Sequence, residues 1–163
     1  MNVTRRVIIT GASGFIGRQL VPRLVSVGFD LLLVGRNPDK LSELFPGVKN
    51  CSYASIDEEG PGFELLLHLT VLNNNALSET YEFQRVNVDL LEQTLAAAKK
   101  AGVSRFVNIT TFHALDHHGS EYARSKRAAL DILNAEKNIE ITNIFLPAVY
   151  GDEFAGKLAV VEK

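Results

Sequence analysis

Tyr122-Ala123-Arg124-Ser125-Lys126 sets a phenol and an ammonium four residues apart at the start of a helical pattern. Residues at that spacing share one helix face, so both groups can enter one cleft. A free phenol, with a pKa of about 10, is a poor base at neutral pH, and a neighbouring cation favours its ionised form. Lowering it by three units takes roughly 4 kcal/mol of favourable interaction. So tuned, the pair can move a proton on and off a hydroxyl or carbonyl oxygen. Upstream, Asn108-Ile109-Thr110-Thr111 ends a strand pattern, where a hydroxyl can hydrogen-bond the same oxygen.

A second group of residues suits an anion. In Thr10-Gly11-Ala12-Ser13-Gly14-Phe15-Ile16-Gly17 a β-branched run turns into a helical one. Glycines there permit a tight turn and close approach of backbone to a pyrophosphate, which the free N–H groups and positive dipole of the helix start stabilise. Following a strand and opening a helix, this spacing predicts dinucleotide binding.

These groups need a scaffold that brings strand ends together. Unbroken apolar runs at 7–9 and 31–34 suit strands covered on both faces, and further strands are expected at 49–54, 64–71, 105–110 and 140–146, about six in all. Helical patterns at 15–27, 38–44, 80–101 and 122–137 intervene, the third with Phe83, Val86, Leu90, Leu91, Leu95 and Ala98 on one stripe. Pro22 predicts a kink or a lost backbone bond in the first helix. Strand alternating with helix means α/β: a doubly wound, Rossmann-type parallel sheet with helices on both faces. The stretch 55–63, containing Gly60-Pro61-Gly62, is short for a parallel crossover, so either a loop replaces the helix or the strand limits differ.

The second strand bears on cofactor type. Its carboxyl end reads Val34-Gly35-Arg36-Asn37, and the nearest upstream acid, Asp30, lies at the other end, about 16 Å away at strand rise. An acid that would bind ribose hydroxyls is therefore out of reach, whereas Arg36 can meet a 2′-phosphate with its planar fork. NADP(H) is favoured, with NAD(H) as the alternative.

Composition sets the outer bounds. The chain has 163 residues, 46% hydrophobic and 22% charged, with a net charge of -2 and no long basic cluster. These values fit one globular domain and supply no footprint for nucleic acid. Cys51 is the single cysteine, so no intramolecular disulfide or thiolate zinc site is expected. No apolar run reaches the ~18 residues of a membrane span, and a cytoplasmic protein is expected. His113, His117 and His118 read as a polar surface loop rather than a metal site. His68 reads as a core residue bonded to backbone, and Asn73-Asn74-Asn75 as a turn near the crevice.

The ordered set TGASGFIG at 10–17, HLT at 68–70, VNVDLLEQTLAAAKKAGVSRFVNITT at 86–111, YARSK at 122–126 and PAVYG at 147–151 resembles the extended short-chain dehydrogenase/reductase superfamily, in its NAD-dependent epimerase/dehydratase branch. The resemblance implies Tyr122 as catalytic base and acid, Lys126 as its electrostatic partner and ribose ligand, and Thr111, with Thr110 competing, as the substrate-orienting hydroxyl. It implies a pyrophosphate loop of Gly11, Ser13, Gly14, Phe15 and Ile16. Ser55-Ile56 stands where the family has an Asp-aliphatic pair near adenine. Leu69, Thr70 and Val71 line the cofactor, Asn87 matches a helix asparagine, and Pro147 to Val149 lie near nicotinamide. The implied activity is reversible hydride transfer at a hydroxyl/ketone carbon of a small molecule, a nucleotide sugar among the candidates, with homodimer formation a further expectation. Leu146 replaces the family's usual arginine. The chain ends soon after Gly151, where the branch continues into a substrate-holding domain, so residues 1–163 read as a dinucleotide-binding domain truncated after the sixth strand. The alternative is a noncatalytic NAD(P)-binding module, a redox sensor or subunit.

Overall fold

The computed structural model describes residues 5–72, 80–115, 119–147 and 149. Six parallel strands form one sheet: β1 (Arg6–Thr10), β2 (Asp30–Val34), β3 (Lys49–Cys51), β4 (Leu65–His68), β5 (Arg105–Thr111) and β6 (Glu140–Leu146), in the order β3-β2-β1-β4-β5-β6. The order reverses between β1 and β4, which opens a crevice at their carboxyl ends.

Strand alternation feeds two apolar layers. Val7, Ile9, Leu31 and Leu33 pack beneath Val21 of helix α1 (Phe15–Ser26) and Leu41 of α2 (Pro38–Leu44). On the other face, Ile8, Leu32, Leu66 and Phe106 meet Leu91 and Leu95 of α5 (Leu90–Lys100) and Ala129 and Leu133 of α6 (Glu121–Ala135). β1 and β2 are thus buried on both sides, as their unbroken apolar runs require, whereas β6 at the sheet edge alternates exposed and half-buried residues. Helix α1 runs through Pro22, and Gly28 ends it at φ +86°, its N–H donating to Val25.

Two expected boundaries change. The third strand stops at Cys51, and the fourth runs only from Leu65 to His68, so 69–71 lie beyond its carboxyl end. The crossover between them is a 3-10 turn (Tyr53–Ser55) and the one-turn helix α3 (Ile56–Glu59). It fits because Ile56 is fully buried and Gly60 closes the turn by donating to the Ile56 carbonyl at 2.9 Å. A side chain at Gly60 would start 2.5 Å from that oxygen.

The helix expected over 80–101 is α4 (Thr80–Gln84), a π turn (Arg85–Asp89) and α5. The wider turn carries an extra residue, so Asn87 and Val88 face inward where an unbroken stripe would put Val86. Helix α6 begins at Ser120, whose hydroxyl accepts from the Ala123 N–H. No helix among the described residues is long and apolar enough to cross a membrane.

Candidate active site

The glycine turn is built for close approach. Gly11 sits at φ +71°, and a Cβ there would lie 2.8 Å from the Leu69 carbonyl carbon and the Thr70 nitrogen. Only glycine lets the β1 turn lie against the end of β4. Gly14 donates to the Gly11 carbonyl at 3.0 Å, and a Cβ at Gly17 would lie 2.4 Å from the Ala12 oxygen. The start of α1 has no side-chain cap and no acid in its first turn, so no carboxylate offsets the positive end of its dipole, which suits an anion. Ser13 and Gly14 are exposed, and Phe15 and Ile16 are half-buried, beside this opening.

Arg36 borders two clefts at the carboxyl end of β2. One, of about 400 Å³, is lined by Ser13, Gly35, Arg36, Asn37, Lys40 and Leu41, with no acid among them. The other, of about 330 Å³, runs from Arg36 past Thr70, Val71 and Leu72 to Arg85, Asp89 and Gln93. Asp30 is held at the far end of the strand by Arg6, 2.8 Å away. Lys40 comes into the first cleft because Asn37 caps α2, accepting the Lys40 N–H at 3.1 Å, one turn after Arg36.

The pair read as adenine neighbours is divided. Ser55 shares a 3.1 Å hydrogen bond with Ser52, whereas Ile56 is wholly buried in the core. Tyr53, expected inside a strand, stands on the turn after β3 beside Thr70, which lines the second cleft. Its hydroxyl shares a 2.6 Å hydrogen bond with Thr70, and burial pushes its pKa up while Thr70, Arg36 and Thr10 counter that rise. The signal was there: once β3 ends at Cys51, Tyr53 is a strand-end residue.

At the other end of the crevice, β5 and α6 deliver the reacting candidates. Thr111 ends β5 half-buried, in register with Leu146 of β6. Thr110 is buried, its hydroxyl without a hydrogen-bond partner among the described residues. Tyr122 is half-buried on the first turn of α6, its ring edge-on to Phe83 at 6.2 Å. Lys126 is buried on the next turn, and burial pulls its pKa down to about 8. Burial alone pushes the Tyr122 phenol upward, opposite to the lowering that the lysine was expected to supply.

Two buried polar residues frame this end. His68 shares a 2.9 Å hydrogen bond with the Thr10 hydroxyl, a side-chain partner where a backbone one was expected, and stacks on Phe106. Burial, and then the Lys126 charge, hold its pKa at about 3, so the ring is neutral. Asn87, read as a cofactor residue, is buried and spends its amide on protein groups: the Leu72 N–H and carbonyl, and the Ser125 hydroxyl. Pro147 and Val149 lie exposed after β6. Asn73 to Asn75 and the histidine side chains at 113, 117 and 118 lie outside the described residues. Among those described, no group of three or more His, Cys, Asp or Glu residues offers a metal site.

A family profile described as NAD(P)H-binding matches residues 11–163. The chain is 34% identical over 152 residues to ceramide reductase of Caulobacter vibrioides, covering 89% of this chain and 46% of that protein. It is 29% identical over 135 residues to dTDP-glucose 4,6-dehydratase of Streptomyces griseus, covering 71% of this chain and 41% of that one. The chain thus spans about half the length of the curated relatives it matches. The solved structure of the Bordetella bronchiseptica enzyme WbmH in complex with NAD+ superposes with a TM-score of 0.79, at 22% identity, over 96% of this chain and 61% of that one. At that identity the likeness is one of fold.

Proposed function

As a member of the NAD(P)H-binding family, within the extended short-chain dehydrogenase/reductase superfamily, the chain has a dinucleotide crevice as its premise, and we propose that it forms the cofactor half of an oxidoreductase acting on a secondary alcohol/ketone pair. The observation that supports this reading is topological: in the parallel sheet the glycine turn after β1 and Thr111 at the end of β5 lie at the same, carboxyl edge, and Tyr122 and Lys126 stand on the first turns of the helix that follows β5. The residues fit the cofactor: Gly11 leaves room against Leu69 and Thr70, and the α1 N–H groups face the position of a pyrophosphate.

A bound nicotinamide dinucleotide supplies or accepts hydride. The chain's own residues do the rest. Tyr122 takes a proton from a substrate hydroxyl, or returns it to a carbonyl oxygen. Thr111 orients that oxygen by hydrogen bonding. Lys126 stabilises the ionised phenol, and its low pKa makes that help strongest below about pH 8. NADP(H) is the preferred cofactor, because Arg36 and Lys40 share an acid-free cleft suited to a 2′-phosphate. Among the relatives, one is named for a ceramide and one for a nucleotide sugar, so the proposed chemistry serves alcohol/ketone pairs of either class.

A noncatalytic dinucleotide-binding module is the second reading, favoured by the upward push on the Tyr122 phenol. NADPH and NADH titrations of wild type and Arg36→Ala, with turnover of wild type and Tyr122→Phe over a carbonyl panel, test both. The oxidoreductase reading expects at least ten-fold tighter NADPH binding lost in Arg36→Ala, and turnover lost in Tyr122→Phe. Turnover indifferent to the phenol contradicts the mechanism, and binding without any turnover supports the module.

A further inference from the structure

The rim around Thr111 and Tyr122 is apolar and open. Val71 follows β4, Tyr81 opens α4, and Phe112 and Leu115 lie on the 3-10 turn directly after Thr111. All four are exposed large hydrophobic side chains, Tyr81 at 65% and Phe112 at 57%. Helix α4 and the 3-10 turn both pack against α6, the helix that carries Tyr122. Phe83 touches the Tyr122 ring, Phe112 lies 5.8 Å from the Phe145 ring, and Leu146 stands in register with Thr111. Scattered apolar residues on a surface need no explanation, but a set gathered around one crevice end points to a ligand.

The exposed charges beside that rim are paired. Glu82 pairs with Arg85, and Glu121 with Arg124. Arg127, next to Lys126 on α6, is half-buried, and its Nε and one terminal nitrogen lie buried with no hydrogen-bond partner among the described residues. Lys126 is buried. The exposed arginines at this end, Arg85 and Arg124, are thus each held by an acid, and neither is left over for a diphosphate.

We infer that the substrate presented to Tyr122 is an apolar ketone or secondary alcohol, its hydrocarbon body lying across Phe112, Leu115 and Tyr81, and not a sugar carried on a diphosphate. The inference rests on the oxidoreductase reading above. In the reductive direction the carbonyl carbon gains hydride from the reduced dinucleotide, and the carbonyl oxygen gains the Tyr122 proton. The products are the secondary alcohol and the oxidised dinucleotide, and solvent returns a proton to the phenol. Specificity then comes from hydrocarbon burial, which strengthens binding up to about four-fold per methylene.

The test uses the full chain with saturating NADPH and a series of 2-alkanones from butanone to decanone, with UDP-glucose and NADP+ as the opposing arm. Binding of each compound to the chain–dinucleotide complex is read by saturation-transfer NMR, alongside kcat/KM. The expected result is kcat/KM rising two- to four-fold per methylene and no binding or oxidation of UDP-glucose. Phe112→Ser and Tyr81→Ser flatten that rise while the Kd for NADPH stays unchanged. A flat series with NADPH bound, UDP-glucose turnover, or no alkanone binding overturns the inference and leaves the oxidoreductase reading standing or falling on its own test. A chain that fails to bind NADPH overturns both. If Phe112→Ser dissociates a dimer in sedimentation without flattening the series, the rim is a subunit interface and the inference is wrong.

Discussion

Asn87 Nδ2 donates to Ser125 Oγ at 3.0 Å, and this bond ties the π turn to the middle of the Tyr122–Lys126 motif. The same amide brackets Leu72, accepting its N–H at 2.8 Å and donating to its carbonyl at 3.1 Å. Ser125 in turn donates to the Tyr122 carbonyl at 2.8 Å. One buried side chain thus fixes the segment after β4 relative to the helix that carries the phenol.

Removing that amide leaves buried donors and acceptors unpaired. Asn87→Ala is expected to destabilise the fold by about 2–4 kcal/mol in urea unfolding. Asn87→Asp keeps the Leu72 N–H bond and loses both donors, so its loss should be intermediate at low pH, where the carboxyl can donate. A loss under 1 kcal/mol for Asn87→Ala would contradict the clamp.

Lys126 carries a cost for its position. Its pKa, about 8 when folded against 10.5 in the open chain, means the unfolded state binds its proton more tightly. Stability contributed by this site therefore rises as pH climbs from about 8 to 10.5, and the full penalty applies below 8. Lys126→Met is expected to be more stable than wild type at pH 7, by up to about 3 kcal/mol, while losing turnover. A less stable Met variant at pH 7 would contradict this account.

His68 gives the opposite window. With a folded pKa of about 3 against 6.5, the unfolded chain takes up a proton as pH falls through 6.5 while the folded one does not. Stability present above 6.5 is lost on acidification, by about 2 kcal/mol between pH 7 and pH 5. His68→Gln should be weaker at pH 7 through loss of the Thr10 bond, yet its loss between pH 7 and 5 should shrink by about that amount. Equal losses in both proteins would show that the ring is protonated in the folded state.

Two left-handed glycines separate conformation from contact. Gly28, at φ +86°, has open space where a Cβ would sit, so Gly28→Ala should cost about 1 kcal/mol and leave dinucleotide binding intact. Gly11→Ala adds a 2.8 Å collision with the β4 backbone to the same strain. It should cost about 1–3 kcal/mol more and abolish NADPH binding. Equal effects in calorimetric titration and thermal unfolding would remove the close-approach argument.

What could be read from sequence was local. The glycine turn, the Tyr122–Lys126 spacing and the alternation of strand and helix depend on neighbours a few residues apart, and the parallel sheet followed from them. What escaped depended on partners far along the chain. Nothing near His68 names Thr10 as its hydrogen-bond partner, 58 residues away. The π turn leaves no mark in an apolar stripe, because one extra residue per turn merely exchanges Val86 for Val88 at the buried face. The third strand was drawn too long because Tyr53 looks strand-like, and only the buried Ile56 shows that a helical turn begins there. Lys40 joined Arg36 only once Asn37 was seen to cap α2.

A crystal structure of the chain grown with NADPH tests the central claim most directly. The account requires the diphosphate against residues 11–17, the 2′-phosphate between Arg36 and Lys40, and the nicotinamide ring beside Tyr122 and Lys126. A dinucleotide bound elsewhere, or a ring directed away from Tyr122, would contradict it.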